Sequence, residues 1–472
     1  MKNLLTAILF IAFLSLKVSA QCEIEPTIAA TGKVLKELKV SKQANTPAEF
    51  TLTLKASVAG ASWQIKGAEA AILTVFVDGK YNQDSILFAG AKTFEYRMPL
   101  GKLDAGEHII SLVLNEARSA PNARRVKIQS AFIAAFEDLP ADSKTTDRSI
   151  FDYIARINAP VIYLRPDTID KFSDIPLLTF YEIFDEPENV KRIRYTTIFT
   201  NEDGGTQSAA LMARWGRATD IEWVYEIEFK NGKLASEIYQ GANHETKNFS
   251  GKRIFGNHPL IFDVTVNNNF SDAGCSELRS AQLPIKVDLS KKSRETIMDE
   301  NEWTYRIMAQ EAIREGRVNA AKLDANTIAD PRDYLYAEIY SEPKAAAIAL
   351  EAESSGGEKF SSDAGIAALR VSRNGFVRIA MRLPKKSAAD FPKAVGIGCY
   401  AVSDNSASES VCQNLRLIKL VRLDRNYLPI VKNINAKSEN IKSGEKMSFA
   451  LPYQNLQKIP EEPREHFVKL PN

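Results

Sequence analysis

Short runs of alternating apolar and polar residues fill the first third of the chain. Phe50-Thr51-Leu52-Thr53-Leu54, Leu73-Thr74-Val75-Phe76-Val77 and Ile109-Ile110-Ser111-Leu112-Val113 are the clearest. A period of two marks a strand with one face buried. Asp78-Gly79 and Asp104-Ala105-Gly106 lie where turns are needed. A helical period is almost absent, so residues 21–135 predict a β-sandwich.

Residues 136–150 are polar and read as a linker. A central β-rich α+β domain follows over 151–290. Residues 291–332 form a helical connector, because 291–318 are rich in Glu, Arg, Ala and Gln. That helix should end near Gly316, and its weak apolar stripe suits a packing or bridging role. Residues 333–432 return to β-character, as in Phe376-Val377-Arg378-Ile379-Ala380-Met381, and form a C-terminal β domain. From 433 to 472 the chain is polar with several prolines and reads as an extended tail. The fold class is therefore mainly β and multi-domain.

The densest polar chemistry falls in residues 193–229, which read as strand, acidic loop, short helix, strand. In the second strand Ile221, Trp223, Tyr225, Ile227 and Phe229 alternate with Asp220, Glu222, Val224, Glu226 and Glu228. This period of two places the apolar set on the core side and four carboxylates on the other. Same-face neighbours lie about 6.5–7 Å apart. That matches the carboxyl separation of inverting glycosidases, about 6.5–9.5 Å. It also suits calcium, which takes several oxygens. A plainer reading stands beside these: Arg192 and Arg194 on the preceding strand can pair with the glutamates across the sheet.

The loop Asn201-Glu202-Asp203-Gly204-Gly205-Thr206 joins the two halves. Its glycines permit a sharp reversal. Thr206 is placed to cap a helix over 207–215, with Gly216 ending it. Glu202 and Asp203 repel anions, so a cation or a sugar hydroxyl fits better than phosphate. Asn201, Glu202, Asp203 and Thr206 are the candidate binding residues, and Glu202 and Asp203 the candidate metal ligands. Two of the four histidines, His244 and His258, follow in loop-like settings. With Glu202, Asp203 and Glu222 they form the candidate catalytic set, if the fold gathers them. Their spacing matches no zinc motif. Asn267-Asn268-Asn269 and Asp272 add a polar, turn-forming cluster.

The start of the chain resembles an export signal. Lys2 precedes an apolar run from Leu4 to Leu16, and Val18-Ser19-Ala20 has the small-residue cleavage pattern. The run is shorter than the roughly 20 residues a spanning helix needs. Residues 1–20 are thus expected to be removed and the protein exported, to a periplasmic or extracellular location. Gln21 before Cys22 does not fit a lipid-modified cysteine. Four cysteines in an exported chain suggest disulfides. Cys399 and Cys412, close together on two strand-like runs, are the preferred pair, which leaves Cys22 with Cys275.

Lys and Arg number 61 against 59 Asp and Glu. That balance gives no field for nucleic acid. No G-x-S-x-G, H-E-x-x-H, Walker A or strand-linked G-x-G-x-x-G motif occurs. No cofactor is implied beyond calcium as the cation such a loop suits.

VFVDGKYNQD and LGKLDAGEHIISLVL resemble bacterial immunoglobulin-like modules. That implies an N-terminal immunoglobulin-like sandwich, an architecture rather than an activity. SDIPLLTFYE, RYTTIFTNEDGGT, LMARWGRATDIEWVYE and the later HE…FSGKR…HPL run resemble an uncharacterised family of exported bacterial proteins, over about 151–275. APVIYLRPD and TDIEWVYEIE are similar to segments of the Vps62-related family. The order of Asp220, Ile221, Glu222 and Trp223 departs from that family, and no residue role is carried over. The resemblance implies that the central region is a unit.

Three functions follow as expectations. The first is a binding or interaction protein of the cell envelope or exterior, with a glycan or envelope component as partner. The second is an exported hydrolase acting on a glycan or ester through the central carboxylates and a histidine. The third is a calcium-stabilised structural protein.

Overall fold

The computed structural model describes residues 32–42, 48–137, 148–202, 204–319, 324–353, 357–383, 392, 394–403 and 409–451. The expectations for the signal segment, Cys22, Asp203 and the far C-terminus lie outside them. Among the described residues 27 strands accompany five α-helices, so the fold is mainly β.

The N-terminal region forms two antiparallel sheets. One orders its strands Lys33–Lys42, Gly106–Leu114, Ala71–Val77 and Lys80–Leu87. The other orders Phe94–Leu103, Ala48–Ala59 and Arg125–Glu137. Along Ala48–Ala59 the alternate residues Phe50, Leu52, Leu54, Ala56 and Val58 are all buried. Asp78 and Gly79, both at positive φ, turn the chain between Val77 and Lys80. This is the tight hairpin that an Asp-Gly pair favours.

A six-stranded sheet forms the middle of the molecule. Its order is Thr246–Asn248, Lys233–Gln240, Ile221–Lys230, Val190–Phe199, Pro176–Glu186 and Ile285–Lys286. Across four of these strands Tyr181, Tyr195, Tyr225 and Tyr239 stand in register as one buried row. Cross-strand aromatic pairs of this kind stabilise a sheet by about 0.2–1 kcal/mol each.

The connector holds two helices rather than the single one its composition predicts. Thr296–Glu300 and Trp303–Arg314 are separated at Asn301, whose φ of −125° and ψ of 65° are not helical. Gly316, at positive φ, follows the second, and its N–H bonds the Ile313 carbonyl.

The C-terminal region is again two sheets. Gly375–Arg382, Tyr334–Lys344, Val411–Leu423 and Pro429–Asn433 form one. Lys359–Ser361, Ala346–Glu353, Ala394–Ala401 and Lys446–Ala450 form the other. Cys399 and Cys412 are disulfide-bonded and join one sheet to the other inside their shared core. Cys275 is likewise not a free thiol. Glu439–Lys442 and Lys446–Ala450 pair into these sheets, so this stretch is not the extended tail its composition suggests.

These regions share cores. One cluster runs from Phe50, Leu52 and Trp63 to Phe172, Tyr195 and Ile307. Another joins Phe180 and Ile221 of the central sheet to Met308 of the Trp303–Arg314 helix and to Tyr336 and Val421. Each such side chain fully buried contributes about 1.5–3 kcal/mol. The helix is thus a packed wedge between central and C-terminal sheets. A buried ion cluster fixes the same junction. Arg378 Nη2 lies 2.7 Å from Asp299 Oδ2 and 3.0 Å from Glu338 Oε2. Lys419 Nζ lies 2.7 Å from the same Asp299 oxygen.

Candidate functional site

A β-bulge decides where the central carboxylates point. Tyr195 pairs with Tyr225, but the next residue, Thr196, pairs with Trp223, so Val224 is left over. One extra residue reverses the facing of all that precedes it. Trp223 therefore joins the face of Arg194, whose guanidinium lies 5.4 Å from its ring centroid. Glu222 and Asp220 move to the opposite face, with Thr197 and Tyr195. The single acidic face expected from alternation is thus two faces. Glu226 stays with the arginines: Arg194 Nε lies 2.7 Å and Arg192 Nη1 3.2 Å from its carboxylate. That half of the charge-paired reading holds.

The loop at 200–207 closes over the relocated pair. Gly204 N–H donates to the Val266 carbonyl at 3.0 Å. A Cβ on Gly205 would lie 2.3 Å from Asn267 Oδ1, so only glycine allows this approach. Thr206 does not cap the helix. The helix runs Ser208–Trp215 with Gln207 at its N-cap, and Gly216 ends it in the left-handed region. Thr206 N–H donates instead to Glu202 Oε1 at 2.6 Å. Asn201 turns inward, its Nδ2 donating to Glu315 Oε2 at 3.1 Å.

Glu202, Glu222 and His244 do come into one neighbourhood, linked through Asp220. Burial first, and Asp220 second, push Glu202 up to about 7. Burial first, and Glu222 second, push Asp220 up to about 7. Asp220 Oδ2 accepts from Asn268 Nδ2 at 3.0 Å, and its Oδ1 from Ile221 N–H at 2.9 Å. Arg217 Nη1 lies 3.6 Å from the same carboxylate. Glu222 Oε2 accepts from Gln240 Nε2 at 2.5 Å and lies 3.9 Å from His244 Nδ1. His244 is exposed, with Asn267 Nδ2 3.1 Å from its Nε2.

His258 belongs elsewhere. It is fully buried, its Nδ1 donating to the Ala159 carbonyl at 2.7 Å and its Nε2 2.9 Å from Glu49 Oε1. It ties the central region to the first sandwich and is no part of the acidic cluster. Asp272 holds a loop, accepting from Ser250 N–H at 2.8 Å. Asp174, Asp263 and Arg165, which the sequence reading passed over, lie buried beside Asn268. Only the neighbouring Asn267-Asn268-Asn269 run hinted at them.

The chemistry of this cluster is closed. Glu202, Asp220 and Glu222 are each less than a tenth exposed and each accepts from a protein donor. A glycosidase instead needs two carboxyls flanking the scissile bond, with room for substrate. No group of three His, Cys, Asp or Glu among the described residues is arranged to hold a metal ion.

An open concavity lies elsewhere, at the junction of three regions. A cleft of about 340 Å³ is lined by residues 61–63 and 88–92, by the Trp303–Arg314 helix, and by residues 425–427. Trp63, Phe88 and Tyr427 form its nearly buried floor. Phe88 is stacked on Trp303 at 5.1 Å, and Trp63 Nε1 is anchored on Glu311. Ser62, Gln310 and Asn426 add polar groups, and Lys92, Arg306 and Arg425 add charge. Its residues come from four separate stretches of the chain, so no local pattern marks it.

No protein-family model matches the chain, and no curated protein sequence matches it. Among solved structures it is similar to a sugar-binding protein, the EclA C-terminal domain. The TM-score is 0.17 at 18% identity, over 22% of this chain and 68% of that one. It is also similar to the Podospora anserina GH26-CBM35 β-(1,4)-mannanase, with TM-score 0.16 at 12% identity, over 27% of this chain and 28% of the other. A ruminal GH26 endo-β-1,4-mannanase gives TM-score 0.16 at 11% identity, over 30% of this chain and 31% of the other. The chain spans less than a third of either mannanase. At these TM-scores the ligand has to be argued from the chain's own residues.

Proposed function

We propose that this protein is an exported binding protein for a glycan or envelope component, held in the cleft at the three-region junction, and that it does not hydrolyse its ligand. The export reading rests on the signal-like N-terminus, and the Cys399–Cys412 disulfide accords with it. Among the described residues no helix is long and apolar enough to cross a membrane.

The observation that carries binding over hydrolysis is the contrast between the two sites. The carboxylates of the acidic cluster are buried, and each accepts from a protein donor. The cleft is open, of ligand size, and built from an aromatic floor with amide and hydroxyl groups around it. Pockets of roughly 300–1,000 Å³ with an apolar lining and a few placed polar groups are the usual ligand sites. The hydroxyl of Ser62 and the side-chain amides of Gln310 and Asn426 suit the hydroxyls of a sugar ring.

A glycan and peptidoglycan-fragment screen, scoring binding and turnover together, tests this reading. Binding without product release is expected, unchanged in Glu222→Gln and weakened in Gln310→Ala and Asn426→Ala. Turnover abolished by Glu222→Gln would restore the hydrolase. Absence of binding to any fragment would remove the glycan-binding reading.

A further inference from the structure

We infer that the cleft selects an anionic ligand, a compact sugar bearing an oxyanion such as a carboxylate, with Arg306 as the residue that receives the charge. The inference rests on the binding reading above and adds the ligand's charge to it.

Three cations, Lys92, Arg306 and Arg425, line the cleft, and no Asp or Glu does. In a chain whose acidic and basic residues nearly balance, such a one-signed lining is not the background composition. Asp424, the neighbour of Arg425 in sequence, and Asp330, bonded to Tyr427, already have partners. Asp424 Oδ1 accepts from Asn426 N–H at 2.7 Å and Leu428 N–H at 2.8 Å, closing the turn that presents Arg425. Asp330 is held by Arg332 at 2.6 Å and by the Tyr427 hydroxyl at 3.3 Å.

Arg306 differs from the ion-paired arginines of the interior. Arg217, Arg314 and Arg378 each face a carboxylate of the protein. Arg306 is half-buried on the Trp303–Arg314 helix and has no ion pair or hydrogen-bond partner among the described residues. Burial alone lowers its pKa, with no neighbouring charge to compensate. A guanidinium partly withdrawn from water without a counter-charge is costly, and an incoming oxyanion removes that cost. Its planar fork of donors matches a carboxylate or a phosphate. Lys92 on the rim is exposed and adds attraction without fixing geometry.

Carboxylate and phosphate present the same chemistry to Arg306, so the test carries both. Isothermal titration of the full chain would use glucuronate, glucose 6-phosphate and glucose at low and high salt, on the wild type, Arg306→Gln and Lys92→Gln. One or both anionic sugars should bind at least about tenfold tighter than glucose, the scale of one charged hydrogen bond. Arg306→Gln should abolish that preference without lowering the melting temperature, because Arg306 supports no other group and its uncompensated charge is removed. Lys92→Gln should weaken it only modestly, and salt should reduce it. Equal binding of glucose and the anionic sugars, or a preference that survives Arg306→Gln, overturns the charge assignment and leaves the binding reading standing. Failure of all three sugars to bind overturns the charge assignment, and only absence of binding across the fragment screen overturns the binding reading as well.

Discussion

Trp63 Nε1 donates to Glu311 Oε2 at 2.8 Å, across 248 residues of sequence. The bond joins the floor of the cleft to the helix that supplies Arg306. Glu311 is fully buried and also accepts from Ser173 Oγ at 2.9 Å. Glu311→Ala strands these donors and is expected to cost about 1–3 kcal/mol for each group left without a partner. Glu311→Gln keeps an acceptor oxygen and should cost less. Urea denaturation of the two variants checks the order. An alanine variant as stable as wild type would mean the network holds nothing.

The buried carboxyls set a pH dependence with a definite sign. Burial, as the leading cause, pushes Glu202, Asp220, Asp263 and Glu311 up to about 7. In the unfolded chain such groups release their protons near pH 4. Between those values the folded chain holds more protons, so its stability falls as pH rises. The cost is absent below about pH 4 and complete above about pH 7. Asp299 runs the other way. Burial alone would raise it, but Arg378 and Lys419 outweigh that and hold it at about 2. Its stabilisation is full above about pH 4 and lost on further acidification. Melting temperature should therefore be greatest in mildly acidic buffer and decline toward about pH 8. Asp220→Asn should flatten the decline. A melting temperature that climbs from about pH 5 to 8 would contradict the assignment.

Arg378→Met tests the junction between helix and C-terminal sheet. Removing the guanidinium leaves Asp299 and Glu338 buried with Lys419 as their remaining cation. Breaking a buried pair from one side typically costs about 3–5 kcal/mol. Thermal melts of the variant should show that loss, and a loss below about 1 kcal/mol would make the cluster dispensable.

The Cys399–Cys412 bond closes a loop with a sequence separation of 13. On the chain-entropy model that is worth about 3 kcal/mol. Reductant, or the double substitution to alanine, should lower the melting temperature accordingly. Reductant that shifts nothing in wild type while the double variant melts early would point to core packing instead.

Much of this was readable from local pattern. The Asp78-Gly79 hairpin and the Cys399–Cys412 pair depend on neighbours within a dozen or so residues, and the sequence carries them. The alternation at 221–229 was also visible, yet its consequence was not. No residue type announces the bulge at Val224, and one unpaired residue sends Asp220 and Glu222 to the other side of the sheet. His258 reads like a loop histidine because its partner Glu49 lies 209 positions away. The cleft is further from view still, since four separate stretches must meet before any concavity exists.

The shared cores bear on how such a chain can be cut or inherited. A fragment beginning at the polar stretch near residue 140 looks separable on composition. It would leave Phe172, Tyr195 and Ile307 without the Phe50, Leu52 and Trp63 side of their cluster. Recombination that exchanged the N-terminal sandwich for a foreign one would meet the same exposed surface. The three β regions therefore stabilise one another, and the cleft at their junction exists only while all three are present.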